Sequence, residues 1–120
     1  MPHLTIEFSS NTPPFNQLAL LQACNKTLAD SGQFTEIDIK SRTVRHDTFV
    51  VGTASEPRAF VYAHLALLNG RAPDIKRDLA QRLHQVLTQF FPSSGGINLQ
   101  LSVELQDMDR DCFLKTFITT

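Results

Sequence analysis

The sequence predicts an α/β (α+β) layer: a doubled β-α-β arrangement, with a four-stranded mixed sheet carrying two helices on one face. Three observations predict it. Apolar and polar residues alternate over His3–Phe8 and again over Asn98–Leu105, the period-2 pattern of half-buried strands. Between the strand-like stretches lie two segments with apolar residues at three- and four-residue spacing, the signature of amphipathic helices. The two halves also repeat each other, since Pro13 and Pro73 stand 60 positions apart, as do Ile39 and Leu99.

The elements follow in order. Leu4, Ile6 and Phe8 alternate with His3, Thr5 and Glu7 to give the first strand. Asn11-Thr12-Pro13-Pro14 reads as a helix start, with Thr12 as cap and proline tolerated in the first turn. Phe15, Leu18, Leu21, Cys24 (or Asn25) and Leu28 then form the apolar stripe, and Gly32 supplies a stop. A second strand is expected near Glu36 to His46, with Ile37 and Ile39 pointing one way and Asp38, Lys40 and Arg42 the other. Asp47 to Arg58 reads as a loop or a short extra strand between the halves. Phe60 to Leu68 is the third strand, although Ala63 and Ala66 lower its propensity. Asn69-Gly70 is a turn signal, and Pro73 opens a helix carrying Ile75, Leu79, Leu83, Val86, Leu87, Phe90 and Phe91. Pro92 to Gly96 ends it, and Leu99, Leu101, Val103 and Leu105 share one face of the fourth strand.

Each β-α-β unit makes its two strands parallel neighbours. With both helices on one face, the other face is left with groups such as His3, Thr5, Lys40 and Arg42, which makes self-association through it attractive. The tail from Asp107 to Thr120 carries Phe113, Phe117 and Ile118, apolar side chains expected to pack on a neighbouring subunit.

At 120 residues, 42% apolar and 19% charged, the chain is one packed domain and not a disordered segment. Residues 1–120 are read as that domain, with halves at about 2–46 and 60–105 plus the C-terminal tail. Eleven basic and 12 acidic side chains leave a formal charge of −1, so no whole-chain attraction for nucleic acid or an anionic membrane is expected. No apolar run is long enough to span a bilayer, and the first apolar stretch, interrupted by Glu7, is too short for a secretory signal. Cys24 and Cys112 alone make no disulfide scaffold, and a reduced, cytoplasmic protein is expected. His3, His46, His64 and His84 show no paired metal spacing, so no metal is expected. Lys76, Arg77 and Arg82 read as a solvated helix face, and neither thiol sits in an oriented His–acid set.

Pro2 is the most informative position. Methionine aminopeptidase removes Met1 when a small residue follows, and the product would carry an amino-terminal proline. Every other proline nitrogen in the chain is an amide; only this one becomes a secondary amine with a usable lone pair. Burial and nearby cations disfavour its charged form and can lower its pKa by about 3 or more, which makes it a general base near neutrality.

Taken together, these features resemble the tautomerase superfamily, whose members place an amino-terminal proline at the head of the first strand of a doubled β-α-β fold. Within it the chain is most similar to the 5-carboxymethyl-2-hydroxymuconate isomerase family. The matching pieces are Met1-Pro2-His3, Ser41-Arg42, Asp47-Thr48, Ala59-Phe60-Val61, Gly70-Arg71, Leu101-Ser102 with Glu104-Leu105, and Phe113-Leu114-Lys115. Each is short, and the specificity comes from their order over nearly the whole chain. Ser55-Glu56-Pro57 and His64-Leu65 are reminiscent of the macrophage migration inhibitory factor branch instead.

The resemblance implies a homotrimer with active sites at subunit edges, no cofactor, and a small dicarboxylate substrate. Pro2 would be the catalytic base. Arg42 and Arg71 fall where the family places its substrate-binding arginines, and a guanidinium matches a carboxylate as a two-pronged donor. Phe113 would form an apolar wall near a neighbour's proline. The activity implied is a cofactor-independent isomerisation of 5-carboxymethyl-2-hydroxymuconate in aromatic catabolism. The alternatives are a tautomerase-fold protein that binds small carboxylates or acts like a cytokine without this activity, and a dehalogenase or phenylpyruvate tautomerase of the same superfamily.

Overall fold

The computed structural model describes residues 1–119; Thr120, the last residue of the expected tail, lies outside them. Strands β1 (His3–Ser9), β2 (Lys40–His46), β3 (Arg58–Leu68) and β4 (Asn98–Met108) form one mixed sheet, ordered β2-β1-β3-β4. β1 pairs parallel to β2, β3 pairs parallel to β4, and the two halves join through antiparallel β1 and β3. Helices α1 (Gln17–Asp30) and α2 (Pro73–Phe90) are the two crossovers.

The predicted alternation sets the layers. Leu4, Ile6 and Phe8 of β1 and Val61, Ala63, Leu65 and Leu67 of β3 are buried. They pack with Leu20, Cys24 and Leu28 of α1 and with Leu79, Leu83, Val86 and Leu87 of α2. Ala63 faces Ile6 in register, a small residue beside a large one. Phe15 wedges between Phe8 and Phe91, with ring centroids 5.0 Å from each. The opposite face is polar and partly open. There Glu7 pairs with His46 at 2.7 Å, His64 with Gln106 at 2.7 Å, and the Tyr62 hydroxyl donates to Glu104.

Three local expectations are corrected. First, Asn16, not Thr12, caps α1: its Oδ1 accepts from the Ala19 N–H at 3.0 Å. A proline disfavours helical geometry at the residue before it, so Pro14 keeps Pro13 out of the helix and delays the start. Thr12 instead donates to the Phe60 carbonyl at 3.4 Å and ties the loop to β3. Second, Cys24 and Leu28 face the core as expected, with Phe15 and Leu21 packed against it, but Leu20 is buried in place of Leu18, which is 65% exposed. Third, β2 is shorter than expected. Glu36–Asp38 forms a single 3₁₀ turn, which leaves Ile37 63% exposed while Ile39 is buried. No strand forms between β2 and β3; Phe49 of that loop packs edge-on against Phe60 at 6.1 Å.

The burial of Leu20 in place of Leu18 has a measurable consequence. Leu20→Ala is expected to cost about 2–5 kcal/mol of unfolding free energy, as for other buried leucines. Leu18→Ala is expected to stay within about 0.5 kcal/mol, as for exposed positions. Urea denaturation of both variants checks this, and equal losses would contradict the observed helix phase.

Candidate active site at the amino terminus

β1 begins one residue after Pro2, and its pairing fixes where Pro2 lies. The Pro2 carbonyl accepts the Lys40 N–H at 3.2 Å, and His3 and Thr5 then register against Lys40 and Arg42. Pro2 is fully buried. With Met1 attached its nitrogen is a tertiary amide, and the free amine belongs to Met1.

Met1 opens onto a cleft of about 460 Å³ lined by His3, Ile37, Lys40 and the tail residues Phe113 to Phe117. The 3₁₀ turn forms one side and the tail the other. Charge in this cleft is unbalanced. Lys40 Nζ donates to the Asp38 backbone carbonyl at 2.5 Å, while Lys115 Nζ pairs with the Asp38 carboxylate and sits 4.1 Å above the Phe117 ring. The cleft thus holds two ammonium groups and one carboxylate, and that carboxylate pairs with Lys115 alone. Burial lowers the Met1 amino pKa, Asp38 opposes that, and Arg71, Lys115 and Lys40 lower it further. Burial also lowers the His3 pKa, with Arg42 and Lys40 acting in the same direction. An amine at this place is thus biased toward its neutral form.

The two arginines differ in their engagements. Arg42 is exposed on the open face and lies 2.9 Å from His3 Nδ1. Arg71 braces two loops: it donates to Gln33 Oε1 at 3.3 Å, the Gln33 carbonyl at 2.9 Å and the Leu68 carbonyl at 3.1 Å. It also lies 4.7 Å above the Phe34 ring. Three donors of the Arg71 fork are engaged, and its contribution at the amino terminus is long-range positive potential. Gly70, with φ of 113°, supplies the turn that sets Arg71 against these carbonyls. Phe113 lines the cleft.

Sequence reading gave no role to Lys40, Lys115 or Asp38. Lys40 was legible as an outward residue of β2, and Lys115 within Phe113-Leu114-Lys115. Asp38 and Lys115 are 77 residues apart, and nothing in the sequence pairs them. Among the described residues, no group of three or more His, Cys, Asp or Glu side chains is placed to hold a metal ion. No described helix is long and apolar enough to cross a membrane. Burial pushes the Cys24 thiol up to about 12, so it packs as a protonated apolar group. A second depression of about 450 Å³ along α2 and β4 has His84 as its one ionisable lining residue, so chemistry is better supplied at the amino terminus.

The Lys115 hydrogen bond holds the Asp38 carboxyl below its ordinary value of 3.8. Because the folded-state value is the lower one, this contact stabilises the fold above the unfolded value and loses its effect as pH falls through the folded one. Lys115→Met is expected to raise the Asp38 pKa toward 3.8, read from its side-chain carboxyl resonance. An unmoved titration would contradict the pairing.

Comparison with known proteins adds to this geometry. A family model for 5-carboxymethyl-2-hydroxymuconate isomerase matches residues 2–117. A 5-carboxymethyl-2-hydroxymuconate isomerase from Deinococcus radiodurans R1 is similar in structure, with a TM-score of 0.89 and 31% identity over 96% of this chain and 88% of that one. A 5-carboxymethyl-2-hydroxymuconate delta-isomerase superposes with a TM-score of 0.83 and 16% identity, covering 98% of this chain and 88% of that one. A fused 4-OT, described as a symmetric trimer, shares the fold with a TM-score of 0.68 and 20% identity, over 90% of this chain and 86% of that one. No curated protein matches the chain. The match over nearly all of its length and the doubled β-α-β fold show that this chain belongs to the 5-carboxymethyl-2-hydroxymuconate isomerase family.

Proposed function

We propose that the protein isomerises 5-carboxymethyl-2-hydroxymuconate, or a close unsaturated hydroxy dicarboxylate of aromatic catabolism, with Pro2 as the general base after Met1 is removed. The observation that carries this reading is an amino terminus whose amine is held toward neutrality beside a cleft with excess positive charge. The family match begins at residue 2 and is consistent with it.

The steps follow from the chemistry. Loss of Met1 converts the Pro2 nitrogen from an amide to a secondary amine. The burial and the cations that lower the Met1 amino pKa act on this amine too. Neutral Pro2 removes a proton from the enol hydroxyl or an allylic carbon, and a dienolate forms. Protonated Pro2 then returns the proton at another carbon. The dienolate and both carboxylates are anionic, so fixed positive charge stabilises the transition state without reorganisation. Arg42, exposed and engaged through one nitrogen by His3 Nδ1, is the guanidinium offered to one carboxylate; Arg71 adds potential and holds the loop. Phe113 supplies an apolar wall that excludes water and leaves the polyene carbons unsolvated.

We also propose a homotrimer. The fused 4-OT relative is a symmetric trimer. Leu114, Phe117 and Ile118 are exposed in the single chain, a tail more favourably covered by a neighbour.

Intact mass should show native protein without Met1. For that protein, Pro2→Ala is expected to lower kcat/KM by about 10²–10⁴, the usual contribution of a general base. Protein retaining Met1 should be inactive, with ketonisation followed by absorbance. Equal activity in the processed and unprocessed forms would overturn the mechanism. Arg42→Ala is expected to raise KM at least about tenfold for the dicarboxylate, the loss of one charge-assisted contact.

A further inference from the structure

We infer that Lys115, on the C-terminal tail, is a specificity-determining residue that selects substrates with a second carboxylate, and that Asp38 is its positioning residue. The inference rests on the proposed dicarboxylate reading and adds a recognition element to it.

Lys115 reaches the cleft from a tail that, among the described residues, has no regular secondary structure beyond Cys112. Its ammonium is nonetheless fixed from two sides, by the Asp38 carboxylate and by the Phe117 ring 4.1 Å away. An ammonium has three donors, and Asp38 is the one side-chain acceptor it meets. The remaining donors can take a substrate oxygen while Asp38 keeps its place. Asp38 itself sits in the 3₁₀ turn between α1 and β2, and its backbone carbonyl accepts from Lys40 Nζ at 2.5 Å. One residue thus holds both ammonium groups, Lys115 through its carboxylate and Lys40 through its carbonyl. The excess cation faces the same cleft as Phe113. A monocarboxylate gripped elsewhere would leave Lys115 with Asp38 alone; a dicarboxylate gains a charge-assisted hydrogen bond.

Glutarate and butyrate separate this role from catalysis, because they differ by one carboxylate and neither is turned over. Calorimetry on full-length, Met1-processed protein is expected to show Lys115→Met weakening glutarate binding by about tenfold or more, with butyrate changed less than about twofold. Lys115→Arg should recover glutarate binding to within about threefold, since the charge is kept. Asp38→Asn should weaken glutarate less than Lys115→Met does, since it loosens the ammonium without removing it. Parallel losses for both acids, an unchanged glutarate affinity in Lys115→Met, or no glutarate binding by the wild-type protein would each overturn the inference. These readouts do not depend on turnover. An inactive but glutarate-selective protein would count against the isomerase reading alone, whereas an active enzyme indifferent to Lys115→Met would count against this inference alone.

Discussion

The position of β1 between β2 and β3 governs the rest of the molecule. Its parallel pairing with β2 starts at Pro2, where the carbonyl accepts the Lys40 N–H at 3.2 Å. Its antiparallel pairing with β3 sets Thr5 against His64 and Ile6 against Ala63. A slip of one residue in either register would turn Leu4, Ile6 and Phe8 out of the core. The same slip would carry the amino terminus away from Lys40. Hydrophobic burial and placement of the terminus are therefore secured by one set of hydrogen bonds.

Positive charge exceeds negative around that terminus. Lys40 and Lys115 share Asp38, while Arg71 adds positive potential from the loop it braces. Positive charge and burial act on an amine in the same direction, and both disfavour its protonation. The features that would keep a base neutral therefore also attract a dianion.

Much of the fold was legible because both strand and helix periods were regular. Leu4, Ile6 and Phe8 alternate cleanly, and Leu79, Leu83, Val86 and Leu87 hold one helical stripe. The phase of α1 was not legible: Leu18 and Leu20 are equally apolar, and only packing in the common core decides that Leu20 is the buried one. The end of β2 was misread for a related reason. Ile37 and Ile39 fit a period-2 pattern, but a 3₁₀ turn places them on different sides of the burial boundary. At the site, the chemical singularity of Pro2 and the strand position of Arg42 could be read from the chain. The engagement of Arg71 with Gln33 and Leu68 could not, since it depends on two loops meeting.

The sequence by itself determined the doubled β-α-β order, the alternation that buries one face of the sheet, and the one proline able to become an amine. These are local properties, written in spacing and in the covalent chemistry of single residues. Only the tertiary structure decided which charges surround the amino terminus. Asp38 and Lys115 meet across 77 residues, and the tail closes one side of the cleft, because sheet register and the 3₁₀ turn bring distant segments together. Electrostatic environment depends on distance in space, and a one-dimensional pattern does not carry it.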